Sequence, residues 1–537
     1  MGQQPTMRPS LEQFDGRSFD VVVIGAGVNG ASAAQHLAAA GYETLLVDKG
    51  DYASGSSSRS TRLLHCGLRY LAPGDSILEF VRHPSRAAVA FRMARLAMEA
   101  RRQFVQTAPE RTRELQFHFP IWRGGQYRPW QVRLALRLLA SLAPTDVPLE
   151  NRVLTPEEAK RVPLVSGLRD WDRLRGVAAF REYQFEWPER ICMDAVLDAE
   201  RMGATVRNYT AARALTRTGD AWQITLADTV SSDPPSRTAI VRGRIVLNMA
   251  GIWIDRVNGA QGADAGRKVL GTKGVHIMVQ LPPDCAGAGI ATLNRLNEGF
   301  YCVPWRGMHY FGPTETVYEG NIDDIRPEED EIEFLRGEAN HLLPGLGLKR
   351  SDILFAWAGV RPLTWDPALP KGKRSREVHD MTSHGMPGVY AMTAGPIMTH
   401  RSAAGEVTDV VAGRLKPSRA TQEISYAARL YPENQNSPPL LDDYTAIRIA
   451  DLKLAAEWEH VTSLVDLLFR RVGAGWTRTM ANGAAERAAE AVAGVLGWDA
   501  ARVAAEIASY RGHLRRQHAY PGGAYELDLG NAATGQL

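Results

Sequence analysis

Gly25-Ala26-Gly27-Val28-Asn29-Gly30 stands between two segments of opposite character, and few folds accept that order. Before it, Phe19 to Ile24 (FDVVVI) is a β-branched apolar run, the pattern of a strand buried on both faces. After it, ASAAQHLAAAGY is Ala-rich and reads as a helix ending near Gly41. Thr44 to Val47 (TLLV) supplies a second strand, closed by Asp48. With 49 glycines in 537 residues, a G-x-G-x-x-G match is expected by chance about 0.4 times, so the context carries the weight. Gly25 permits the tight turn, Gly27 lets backbone approach a pyrophosphate, and Gly30 lets helix and strand pack closely. The helix start offers N–H groups and a positive dipole end to phosphate. Asp48 can accept from both ribose hydroxyls, which disfavours a 2′-phosphate. From this unit alone the ligand is NAD or FAD.

The remainder reads as a mixed α/β chain. Residues 53–62 (ASGSSSRSTR) form a Ser-rich loop. From 76 to 143 the chain has a mostly helical character, and 187–203 suits another helix. Stretches 204–216, 222–227 and 239–248 read as strands of a meander, with the turn cluster SSDPPS before the last. Between 268 and 365, KGVHIMVQL, GFYCVPW and MHYFGPT look like strands and 328–343 like a helix. Residues 388–412 read as strand, Gly turn and helix. From about 420 to 518 the spacing is helical, with Asp499 as an N-cap.

Lys plus Arg minus Asp plus Glu is 63 − 60, or +3, too balanced for a dedicated nucleic-acid binder. No run approaches the ~18 apolar residues of a membrane span. The four cysteines lie far apart, so neither a disulfide scaffold nor a Cys-rich metal site is expected, and no metal is assigned. The first 17 residues lack a secretory pattern, and a cytoplasmic location is expected.

The Ser-rich loop runs into Thr61-Arg62-Leu63-Leu64-His65-Cys66-Gly67-Leu68-Arg69-Tyr70-Leu71. Here the chain resembles the FAD-dependent glycerol-3-phosphate dehydrogenases, respiratory flavoenzymes of the D-amino-acid-oxidase-like group, whose signature is S-S-x-x-S-K/R-L-x-H-G-G-L-R-Y-L. Lys273-Gly274-Val275-His276 is similar to that family's K-G-x-H strand, and Val303-Pro304-Trp305 with Phe311-Gly312-Pro313-Thr314-Glu315 to its P-W…G-T-T-D hairpin. Ala358 to Leu363 (AGVRPL) resembles S-G-V-R-P-L, and Thr462 to Arg471 resembles T-x-x-D-x-L-x-R-R of its helical C-terminal domain. Three departures stand out. Cys66 replaces a glycine, read as a small packing residue against the sharper alternative of a redox thiol or flavin link. Asn248 to Trp253 is a loose version of N-A-T/A-G-x-W. In Ala394-Gly395-Pro396-Ile397-Met398-Thr399-His400-Arg401, Pro396 stands where the family has a lysine, and proline brings neither charge nor N–H.

The resemblance implies a Rossmann-like FAD-binding domain of discontinuous segments (18–110, 187–261 and 387–418). To it are added a helical, substrate-side insertion (111–186), a mixed α/β substrate domain (262–386), a helical C-terminal domain (419–520) and a disordered tail (521–537). It implies that Gly25, Gly27, Gly30, Asp48, Ser57, Ser58, Arg62, Leu64, His65, Val206, Gly251, Gly395 and Thr399 hold FAD. Oxidation of a secondary alcohol needs a base for the hydroxyl proton while the carbon delivers hydride to the flavin. Imidazole suits that task near pH 7, which makes His65 the first candidate and His276 the second. Arg361 is assigned to catalysis and, with Arg69, Tyr70 and Lys273, to a phosphorylated substrate; Arg401, with His400, is the candidate replacement for the missing lysine charge. The implied reaction converts sn-glycerol 3-phosphate to dihydroxyacetone phosphate with electrons passing to quinone. The alternatives are another hydroxy or amino substrate, with oxygen as acceptor, and a flavin-binding protein without turnover. Residues 126–143 fit an interfacial membrane helix, or equally an amphipathic helix covering the protein's own core.

Overall fold

The computed structural model describes residues 8–68, 84–142, 146–230, 237–262 and 265–524. Arg69, Tyr70, the SSDPPS cluster and most of the expected tail lie outside the described residues.

Strand β1 (Ser18–Ile24) lies parallel to β2 (Thr44–Val47) on one side and to Thr238–Asn248 on the other. Thr205–Arg207 extends the sheet beyond β2; Val389–Thr393 extends it beyond Thr238–Asn248, with Glu377–Asp380 as an antiparallel edge. Helix α1 (Val28–Ala39) packs on one face with Pro188–Arg201 and His400–Ala412. Hairpin Thr210–Thr218/Ala221–Asp228 covers the other. Val21 and Val23 therefore enter the helical layer, and Val22 and Ile24 the β layer. Burial on both faces is why FDVVVI shows no alternation.

A second, ten-stranded sheet forms the other half. Its central strand Thr112–Trp122 pairs antiparallel with Leu174–Phe185 and parallel with Ala288–Leu293. The expectation of helix across 76–143 and a helical insertion over 111–186 is corrected here. Among the described residues of that stretch, only Pro84–Thr107 and Pro129–Leu142 are long helices, and TRELQFHFPIW between them is a strand. Its alternating Leu115, Phe117, Phe119 and Ile121 give the period-two pattern of a half-buried strand. Val269–Val279 lies between Met308–Gly312 and Ile353–Thr364. Its Val275, Ile277 and Val279 pack on helix Glu329–Leu342, so Gly274, His276 and Met278 face the opposite way.

The C-terminal region is helical over Ile449–Trp458, Ala485–Leu496 and Ala500–Gln517, and Asp499 caps the last by accepting from the Arg502 N–H. The helical expectation fails at 419–448, which has neither helix nor strand beyond a Pro439–Arg448 bridge. Pro432, Pro438 and Pro439 remove the N–H groups a helix would need. Thr462 to Arg471 is the fastener of this region. Asp466 accepts from the Thr462 and Ser463 N–H groups and from Arg470 and Tyr209. Arg470 and Arg471 both donate to Asp51, which lies just past β2.

Candidate active site

One cavity of about 1300 Å³ runs between the two sheets and receives Gln517 from the C-terminal helix. That is more than the ~300–1000 Å³ of an ordinary small-ligand pocket. The glycine turn forms one end. A Cβ at Gly25 would lie 2.6 Å from the Met249 carbonyl oxygen, and φ there is +104°. A Cβ at Gly30 would meet the Gly25 oxygen at 1.8 Å, so Gly30 serves packing and is not on the cavity wall. Asp48 accepts from the Ala26 N–H (2.7 Å) and Gly50 N–H (2.8 Å). Burial nevertheless pushes its carboxyl up to about 6. Ser57 Oγ accepts from the Val28 N–H at 3.0 Å, which ties the Ser-rich loop to the start of α1.

The loop then crosses to the second sheet. Arg62 lies between the rings of Trp305 and Trp476 (4.2 and 4.3 Å) and pairs with Glu189. Leu63–Leu64 forms a short strand on Gln184 and Tyr183, and His65 follows at the cavity wall. Behind it, Glu182 accepts from the Cys66 N–H through both oxygens at 2.8 Å. Cys66 is core, and burial, then Glu182, push its thiol well above the ordinary value; it is a packed thiol and not a thiolate.

The opposite wall is the strand pair Val269–Val279 and Ile353–Thr364. His276 stacks on Trp357 (4.7 Å between ring centroids, 9° between planes), and its Nε2 lies 3.1 Å from Thr61 Oγ. Burial first, then Arg361 and Arg62, hold His276 well below the usual imidazole range, so the ring is neutral. Arg361 lies over Gly274, where a Cβ would come within 2.8 Å of its guanidinium.

Of the residues singled out from sequence, the cavity gathers Gly25, Gly27, Asp48, Ser57, Arg62, His65, Gly251, His276, Arg361 and Gly395. Others lie elsewhere. Lys273 shares the parity of Val275, so it points to the helix side and pairs with Glu331 at 2.7 Å and Glu328 at 3.4 Å. Arg401 is sandwiched by Phe104 and Tyr426, each 4.2 Å away, and donates to Thr107. Leu64 and Val206 are core side chains; Ser58 and Thr399 bond the nearby carbonyls of Gly55 and Pro396. The wall also carries Arg59, Glu182, Glu315 and Arg374, which sequence reasoning passed over. Arg59 belongs to the Ser-rich loop and Glu315 to the hairpin motif, where a cation and a carboxylate are the available signals; Glu182 and Arg374 stand in no motif.

A doubly layered dinucleotide domain whose glycine turn opens into a cavity shared with a second sheet defines a nucleotide-cofactor oxidoreductase. The FAD dependent oxidoreductase family model matches residues 20–401, and the chain belongs to that family. Its cofactor is FAD, and it is an enzyme of the FAD-dependent oxidoreductase kind. It is 29% identical over 422 residues to a glycerol-3-phosphate dehydrogenase of Synechocystis sp., covering 76% of this chain and 72% of that one. An aerobic glycerol-3-phosphate dehydrogenase of Staphylococcus saprophyticus is 27% identical, with 74% and 68% covered. The solved glycerol-3-phosphate dehydrogenase from Bacillus halodurans, complexed with FAD, shares the fold with a TM-score of 0.70 at 18% identity, over 94% and 96% of the chains. Glycine oxidase from Geobacillus kaustophilus follows at 0.54 and 17%, over 78% and 100%.

Proposed function

We propose that this enzyme oxidises sn-glycerol 3-phosphate to dihydroxyacetone phosphate and delivers the electrons to quinone. The observation that carries the reading is the shared cavity wall of His276 and Arg361, with His65 on the same cavity where the Ser-rich loop reaches the second sheet. FAD, when bound, supplies the hydride acceptor and the relay of two electrons; the glycine turn, Asp48 and the Ser57 loop would hold it. Arg361 offers a bidentate fork to the substrate phosphate. His276 is neutral, fixed by Thr61 and Trp357, and takes the C2 hydroxyl proton. Burial is the main cause of the depressed His276 and Arg361 adds to it; a bound dianion offsets that second contribution and so raises the base's proton affinity. The relatives named above as glycerol-3-phosphate dehydrogenases support this substrate.

The test is the absorption spectrum of the FAD-loaded protein before and after anaerobic glycerol 3-phosphate. Bleaching of the flavin band is expected; a band that stays oxidised removes this substrate while leaving FAD in place.

Quinone is reached from the membrane surface, and helix Pro129–Leu142 suits a peripheral contact on the inner face of the cytoplasmic membrane. Among the described residues no helix is long and apolar enough to cross a membrane. This helix buries Val132, Ala135, Leu136 and Leu139, yet exposes Trp130, Leu134 and Leu138 one turn apart, with Arg133 and Arg137 beside them. Phe91 and Val89 of helix Pro84–Thr107 are also exposed. Sedimentation with anionic lipid vesicles is expected for the wild type and lost in Leu134→Glu; equal sedimentation of both removes this helix from membrane contact.

A further inference from the structure

We infer that Arg374 is a second anion-binding cation of the cavity and a determinant of substrate specificity, with Glu315 as the positioning residue that keeps it in place. This deepens the phosphate reading above and rests on it. Edge strand Glu377–Asp380 runs antiparallel to Val389–Thr393, with Glu377 opposite Thr393 and Val378 opposite Met392. That pairing ends at Glu377, because Lys373 exchanges both backbone hydrogen bonds with Thr364 at the end of the strand that carries Arg361, and the segment leads Arg374 to the cavity that Pro396 also reaches. Both residues line the cavity. Pro396 brings no donor and no charge to that place, and Arg374 brings both.

The charges around it narrow the assignment. In the same segment Lys373 is engaged by Asp366 and Glu377, and Arg376 by Glu406, Ser402 and the Thr399 carbonyl. Arg374 instead forms an ion pair with Glu315, which enters the cavity just after Met308–Gly312. Burial pushes the Glu315 carboxyl up, but Arg374 and then Arg361 outweigh it and hold the group below the ordinary carboxylate value. One carboxylate therefore lies in the field of two guanidinium groups, and the trio keeps a net charge of +1. A resident carboxylate between two cations occupies the electrostatic place of an incoming anion. The Arg374 side chain is 39% exposed, against 3% for Lys273, so it has room to turn toward a ligand. A phosphate dianion with three acceptor oxygens takes donors from Arg361 and Arg374 together, while an uncharged alcohol has no use for the second.

The experiment uses FAD-loaded wild type, Arg374→Gln, Arg374→Lys and Glu315→Gln. Arg374→Gln is expected to raise KM for glycerol 3-phosphate about ten-fold, to change kcat less than about three-fold, and to weaken inhibition by inorganic phosphate equally. Arg374→Lys is expected to recover part of both, and Glu315→Gln to tighten phosphate inhibition. KM and phosphate inhibition within about two-fold of wild type in Arg374→Gln would overturn the proposal. If the wild type does not turn over glycerol 3-phosphate, the substrate reading fails separately. Inorganic phosphate titrated into the FAD-loaded protein, followed by the flavin spectrum, then decides the site: a response in wild type that Arg374→Gln loses supports it, and no response, or an equal one in both, overturns it.

Discussion

Arginine builds two regions of this molecule in opposite ways. At the seam between the dinucleotide domain and the C-terminal helices, buried guanidinium groups meet buried carboxylates. Arg470 and Arg471 share Asp51, Arg190 holds Glu459 at 2.6 and 2.7 Å, and Arg62 holds Glu189. Along the cavity, Arg59, Arg361 and Arg374 reach a wall that faces space, and Glu315 pairs with Arg374 in the field of Arg361. Burial lowers Arg59 to about 10, which still leaves it charged at neutral pH. A desolvated charge is tolerated when a partner is fixed beside it, and the seam uses this to lock domains. At the cavity the corresponding arginines face space on one side, which is where the proposed anion would meet them.

The seam is where a substitution has the largest effect. Burial raises the Asp51 carboxyl, but Arg471 and Arg470 outweigh it, and the group is ionised across the ordinary pH range. Asp51→Ala takes the shared carboxylate from two buried guanidinium groups, leaving Arg470 with Asp466 and Arg471 with the Glu459 carbonyl, and a loss of about 3–5 kcal/mol at pH 7 is expected from urea unfolding. A loss below about 1 kcal/mol would mean that the seam is not a fastener and would erase the contrast with the cavity.

The two regions also differed in legibility. The turn at Gly25 to Gly30, both flanking strands and the Asp499 cap were readable because local sequence decides them. The Thr462 to Arg471 motif was readable only as a likeness; its partner Asp51 is more than 400 residues away, and nothing local announces the pairing. Lys273 was placed on the cavity by motif, but strand parity turns it to the helix side with Val275. Thr112–Trp122 was absorbed into its Ala- and Arg-rich helical flanks although Leu115, Phe117 and Ile121 carry the strand period. Arg374 lies in no motif, and only the pairing of Lys373 with the far end of Ile353–Thr364 leads it to the cavity wall.

Glu182 sharpens the comparison because it is a buried carboxylate at the cavity wall rather than at the seam. It holds the Cys66 N–H behind His65, and burial pushes it up to about 7 against the bonds from Cys66 and the more distant charge of Arg101. A folded value above the unfolded ~4.3 means that the native state keeps a proton that the unfolded chain has released. Its contribution is fully present below the unfolded value and is lost as pH rises through about 7. Glu182→Gln keeps an acceptor for Cys66 and cannot ionise. The stability of the variant minus that of the wild type is therefore expected to rise by about 2–3 kcal/mol between pH 5 and pH 8 in urea unfolding. Asp51→Ala, with a depressed carboxyl, is expected to show no such trend over that range. A flat difference for Glu182→Gln would place Glu182 with the seam carboxylates, compensated by Arg101, and would move the boundary between the two regions to the far side of His65.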